Sequence, residues 1–153
     1  MRHRSLYLFV LVGLIILVIF SLGSGIWGKD LQLNSFIYKA YGTVCHQIPG
    51  RSFHINDIQM AVNTRCFGVF TGLLAGWAII PFIHATANGK KWPYLFLWLA
   101  VIIQITDYSG NLFEIWENTN EPRFILGNIL GLAVSLFLSD LFSTNNQKDI
   151  QYG

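Results

Sequence analysis

Four blocks of apolar residues run through this chain, and their length limits what it can fold into more than any other feature. The first extends from Leu6 to Trp27, the second from Arg65-Cys66 to about Ala85. The third opens at Trp92-Pro93, and the fourth runs from about Arg123 to Phe142. An α-helix rises about 1.5 Å per residue, so about 20 apolar residues cross the roughly 30 Å of hydrocarbon in a bilayer. Apolar residues make up 53% of the chain and charged ones 12%, about half the charged share of a soluble domain. The chain therefore reads as an all-α membrane protein, a four-transmembrane-helix bundle with a structured first loop. We place one membrane domain over 1–142, with spans at about 6–27, 65–85, 93–113 and 123–142. A polar tail over 143–153 is expected to be disordered.

Local signals support these boundaries. Asn63 and Thr64 are N-cap residue types just before the second block. Pro93 suits the first turn of a helix, and Asn120 and Pro122 open the fourth. Arg2, His3 and Arg4 precede the first block as they would in a signal peptide. Its apolar stretch is longer than such signals carry and no A-x-A-like site follows, so it reads as a retained anchor. In loop one, Asp30 can cap an amphipathic helix over Leu31 to Tyr41 that Gly42 would stop. This helix would lie in the membrane interface or on top of the bundle. Ile48-Pro49-Gly50-Arg51 predicts a type II turn.

Orientation rests on charge. Five basic residues fall on each side, which is no bias under the positive-inside rule. The basic start and the short Gly89-Lys90-Lys91 turn favour both termini on the cytoplasmic side, in a prokaryotic inner (cytoplasmic) membrane. Whichever side it is, four spans place the first and third loops on one face. The net charge of +2 is small and dispersed, which sets nucleic acid aside as a partner. No phosphate-binding loop, serine-hydrolase elbow, H-E-x-x-H or dinucleotide fingerprint is present.

The densest cluster of reactive residue types is Cys45-His46-Gln47-Ile48-Pro49-Gly50-Arg51-Ser52-Phe53, followed by Arg65-Cys66-Phe67-Gly68-Val69-Phe70-Thr71-Gly72. A CHQ-x-P-x-RSF segment followed by RC-x-G-x-[YF]-x-G resembles the small prokaryotic membrane-protein family catalogued as domain of unknown function 2085. The second half is also similar to that family in Asp107, Glu117-Asn118-Thr119-Asn120, Arg123, Gly127 and Gly131. Tyr108 stands where the family often has glycine. The resemblance covers roughly Cys45 to Leu136. It implies a fold and a site, and no reaction.

The two cysteines leave several readings open. A disulfide between Cys45 and Cys66 would close the loop and stabilise by about 3 kcal/mol. Alternatively, Cys45, His46 and Cys66 could hold a divalent metal such as zinc, with His54 as a further ligand. The adjacency of Cys45 and His46 opposes this, since neighbouring side chains point apart. A redox-active thiol pair and two inert buried cysteines complete the set. At a helix start beside Arg65, Cys66 has the setting that favours a thiolate.

Asp107 carries the most information. On a helix opening at Pro93 it lies about 21 Å along the span, at hydrocarbon depth. An acid there must face the bundle and find a partner. Arg65 and Arg123, each starting a span, are the natural candidates. Asp107, Asn111 and Glu114 share one helix face. Gly68, Gly72 and Gly76 recur every four residues in line with Arg65, and Gly127, Gly131 and Ser135 in line with Arg123. This spacing predicts close approach of two helices in lipid, with Asn128 adding a hydrogen bond.

These residues describe a membrane protein with a polar pocket at one face. In the enzymatic or accessory reading, Cys45, His46, Cys66 and Asp107 form the reactive edge. Arg51, Arg65, Asn111, Asn120 and Arg123 then bind an anionic lipid or other phosphate-bearing ligand. In the alternative, a non-enzymatic binding or transport subunit uses the cysteine pair as a structural staple. Four short helices are few for a monomeric transporter, so that role requires a homo-oligomer or a partner.

Overall fold

The computed structural model describes residues 2–27, 32–83 and 92–151. Within them the regular secondary structure is helical apart from one small hairpin. The elements in order are α1 (Arg2–Ser21), α2 (Ser24–Trp27), α3 (Gln32–Gly42), a 3₁₀ turn (Pro49–Arg51), β1 (His54–Ile55), β2 (Ile58–Gln59), α4 (Thr64–Ile83), α5 (Trp92–Leu112) and α6 (Asn120–Gln151). Three stretches are long and apolar enough to cross a membrane: Thr64–Pro81, Trp92–Leu112 and Asn120–Ser139. Ser5–Ser21 in α1 is a shorter apolar helix. Large apolar side chains on α5, among them Leu95, Ile102 and Ile105, face outward, as they do when the surrounding solvent is lipid.

The first apolar block is not one continuous helix to Trp27, as its composition predicts. It stops at Ser21, where Gly23 takes a left-handed φ of 68°. The Ser21 hydroxyl donates to the Val18 carbonyl at 2.6 Å, and the Ala61 N–H donates to the Ser21 carbonyl at 3.2 Å. A residue from the far end of loop one thus satisfies a helix-terminal carbonyl, and a Cβ at Gly23 would press on that same Ala61 nitrogen. The tail also departs from expectation. From Leu132 to Gln151 there is no glycine or proline, and α6 continues through the segment expected to be disordered. The Gly89-Lys90-Lys91 turn and Asp30 lie outside the described residues.

Helices α4 and α6 form the tightest contact in the molecule. A Cβ on Gly68 would meet the Phe124 carbonyl, and one on Gly72 the Asn128 carbonyl. In return, Gly127 lies on the Arg65 carbonyl and Gly131 on the Val69 carbonyl. Backbone therefore rests on backbone, the arrangement that four-residue glycine spacing permits. The Asn128 amide donates to the Thr71 hydroxyl at 2.9 Å across the seam. At the far end of α4, Trp77 and Tyr7 stack at 5.9 Å, and each donates a side-chain hydrogen bond to the other's carbonyl.

The most deeply buried stretch is in the loop, not in a span. Met60, Ala61 and Val62 are 2%, 0% and 0% exposed. This segment runs beneath α3 and the hairpin into α4. Loop one is a packed lid.

Candidate functional site

The lid owes its shape to polar side chains that take the place of sheet or helix hydrogen bonds. Gln47 sits in the left-handed region at φ 48°, where a non-glycine residue costs roughly 1–2 kcal/mol. Its amide donates to the carbonyls of Tyr38 and Ala61, both at 2.8 Å, tying α3 to the buried Met60–Val62 segment. The Gln59 amide donates to the Gln47 carbonyl at 2.7 Å. The Asn63 carboxamide oxygen accepts from the Ile48 N–H at 2.8 Å and from the Ser52 hydroxyl at 3.1 Å. Pro49–Arg51 is consequently a 3₁₀ turn, not type II. Gly50 has no positive φ, and the Ser52 hydroxyl closes the turn on the Ile48 carbonyl at 2.9 Å. Tyr41, on α3, donates to the Leu17 carbonyl at 2.7 Å, and burial pushes its phenol up from 10.0.

Beneath the lid, Arg65 in the first turn of α4 forms an ion pair with Asp107 of α5. The second carboxylate oxygen of Asp107 accepts from the Asn118 amide, in the link between α5 and α6. Asp107 is 9% exposed. An acid so placed is stable only with partners on both oxygens, and three segments supply and position them. Of the two arginines expected to face it, Arg65 makes the contact. Arg123 lies within electrostatic reach of Arg51, Arg65 and Asp107.

These groups border a cavity of about 280 Å³. Arg51, Arg65 and Arg123 line it, together with Asn111, Glu114 and Cys66. Two nitrogens of its lining residues, Arg65 Nε and Asn111 Nδ2, are buried without a hydrogen-bond acceptor. Arg65–Asp107 is the one ion pair among the described residues, so Arg51 and Arg123 bring guanidiniums without a carboxylate mate. Buried donors are nearly always satisfied in folded proteins. Cationic donors left open around a cavity make it receptive to an anion.

Glu114 reaches this wall by a route its spacing does not predict. Helix α5 ends at Leu112, and Glu114 adopts φ 56° while the Ile115 N–H bonds back to the Gly110 carbonyl at 2.9 Å. This is a helix-ending motif whose left-handed position is usually glycine. A carboxylate beside a helix C-terminus is also opposed by the dipole. Both features hold an acid at the rim against local preference.

Other expected site residues fall elsewhere. Asn120 does not line the cavity; its amide donates to the Ser52 carbonyl at 3.3 Å and fastens α6 to the lid. Asp107 acts on the cavity through Arg65. Cys45 is buried, whereas His46 and His54 are exposed. Among the described residues no group of three His, Cys, Asp or Glu side chains gathers as a metal site. The metal reading of Cys45, His46 and Cys66 is thereby corrected, because the adjacent Cys45 and His46 point to opposite environments. No disulfide is formed among the described residues. Cys45 and Cys66 are free thiols in hydrogen-bond contact, and the Cys45 sulfur accepts from the Asn63 N–H at 3.2 Å. Arg65, expected to favour a thiolate at Cys66, is paired with Asp107, and Cys66 lies half-buried against Cys45.

Some of the site was not read from sequence. Asn118 gave no signal of its own within an Asn-rich stretch. The hairpin did: Asn56 and Asp57, both with positive φ, join two short strands in the residue types a two-residue turn requires.

A second cavity, of about 370 Å³, lies against the first. It is apolar, lined by Leu17 of α1, Ala40 and Tyr41 of α3, Val44, and Cys66, Val69 and Phe70 of α4. Cys66 belongs to both walls.

Comparison with known proteins places these residues in context. The profile of a family described as "Predicted membrane protein (DUF2085)" matches residues 45–137, from the lid cysteine to the middle of α6. An uncharacterised protein of Methanocaldococcus jannaschii is 40% identical over 109 residues, covering 69% of this chain and 68% of its own length. No solved structure matches.

Proposed function

The chain belongs to the DUF2085 family of predicted membrane proteins, and from that premise we propose that it is a four-span bundle whose lidded cavity binds a phosphate-bearing anion. The shorter α1 is the fourth span, and both termini lie on the cytoplasmic side of a prokaryotic inner membrane. The lidded cavity then opens at the opposite face. One observation carries the binding role: among the described residues Arg65 Nε and Asn111 Nδ2 are buried donors without acceptors, and both residues line a cavity that Arg51 and Arg123 also line. Planar guanidiniums match phosphate oxygens bidentately, and several of them on one cavity select for a tetrahedral anion. Asp107 and Asn118 act as positioning residues that hold Arg65 at the wall. Cys66 is the thiol and Glu114 the acid on the lining.

The test uses detergent-purified full-length protein, with inorganic phosphate titrated against chloride at constant ionic strength. A ligand that binds only the folded state raises stability by about 2.7 kcal/mol at a hundredfold excess over its Kd. Wild type should show a saturable rise in Tm, and Arg123→Gln should lose most of it. A wild-type Tm indifferent to phosphate would refute the proposal.

A further inference from the structure

We infer that the cationic and apolar cavities are the two halves of a single site for an anionic phospholipid, its phosphate among the arginines and one hydrocarbon chain beneath α3. This rests on the anion-binding reading above and names the ligand class. The argument begins with contiguity. Cys66 contributes to both linings, so the two cavities adjoin at its side chain. The chemistry of the two walls is divided as an amphiphile is divided. One carries Arg51, Arg65 and Arg123, the other Leu17, Val69 and Phe70.

Helix α3 borders the apolar half, held by the Tyr41 hydroxyl on the Leu17 carbonyl and by the Tyr41 ring against Phe70, centroids 6.0 Å apart, while Ala40 and Val44 mark its open side. Its volume of about 370 Å³ falls within the roughly 300–1,000 Å³ of small-molecule sites. Water does not suit it, because an apolar cavity offers too few hydrogen-bond partners. A free inorganic anion would satisfy only the arginine half. A membrane lipid satisfies both halves and is the solvent of the bundle.

A chain leaving bilayer hydrocarbon gains no hydrophobic burial, so the apolar half holds it by packing and fit. The two halves can therefore be separated by filling one. Ala40→Trp and Val44→Trp, both at exposed positions on the apolar wall, plug the chain cavity without touching an arginine. Full-length protein is purified from nanodiscs containing phosphatidylcholine with phosphatidic acid as the minor component, and retained lipid is counted by native mass spectrometry. Wild type should keep one phosphatidic acid per chain in preference to phosphatidylcholine. Both tryptophan variants should lose it at least tenfold while retaining the Tm response to inorganic phosphate, and that response also reports that they fold. Arg123→Gln should lose both. Lipid retention by both plugged variants at the wild-type level, or equal retention of phosphatidylcholine, overturns the inference and leaves anion binding standing. Absence of any phosphate response in wild type overturns the anion reading itself.

Discussion

Helices α4 and α6 meet twice, first through arginines at the lidded end and then through glycines along the seam, and the two contacts differ in how fully they are satisfied. Along the seam there is no spare volume: Gly68, Gly72, Gly127 and Gly131 each lie where a single Cβ would strike the opposite backbone. At the lidded end, among the described residues, Arg51 and Arg123 lack carboxylate mates, and Arg65 Nε lacks an acceptor. A saturated contact can only stabilise. An unsaturated one, held open by the same two helices, has capacity left for a ligand. The seam supplies the rigidity that keeps guanidiniums from different segments close to one another despite their repulsion.

Substitution at the seam should have the largest effect. Gly72→Leu forces a side chain into the Asn128 backbone, which no rotamer can avoid, and we expect a loss upwards of about 4 kcal/mol. The readout is the fraction of monodisperse protein after detergent extraction, which should fall nearly to zero. Gly13→Leu is the control, since a Cβ at Gly13 meets nothing within 4 Å. Equal tolerance of both substitutions would mean that α4 and α6 do not rest backbone on backbone.

At the lidded end the effect should be smaller and of another kind. Asp107→Ala leaves Arg65 partly buried without its acid, and losing one partner of such a pair costs about 3 kcal/mol. The protein should still fold, with its Tm lowered, because the seam is intact. Added phosphate should recover part of the loss by supplying Arg65 with another anion. Wild-type Tm in Asp107→Ala, or a phosphate response no different from wild type, would detach Asp107 from the cavity.

The seam and the lid were not equally legible in the sequence. Glycine spacing announces the seam because the spacing is itself the geometry: residues four apart share a helix face. Asp107 was legible for a similar reason, since its distance along an apolar block fixes its depth and depth demands a partner. Choosing Arg65 over Arg123 required the rotation of α4 against α5, which no local pattern encodes. The lid was least legible. Gln47 and Asn63 act through side chains bonded to backbone 9 to 15 positions away, and such bonds leave no periodicity. Composition favoured running the first block to Trp27, yet Gly23 and the distant Ala61 end it at Ser21. The cysteines misled because residue type alone does not separate a ligand pair from two packed thiols.

The smallest effect should come from His46, and it sharpens the comparison by marking where the site ends. His46 lies between Cys45, which is buried, and Gln47, which pins α3 to the buried Met60–Val62 segment, yet its own ring is exposed. An exposed side chain without special contacts changes stability by less than about 0.5 kcal/mol. Gln47→Ala should cost more, about 2 kcal/mol, because two buried carbonyls lose their donor. His46→Ala should therefore leave Tm and phosphate response unchanged while its neighbour's substitution lowers both. If His46→Ala instead abolished phosphate binding, the ligand would reach across the lid, and the boundary drawn at Cys66 would have to move outward to include the face of the loop.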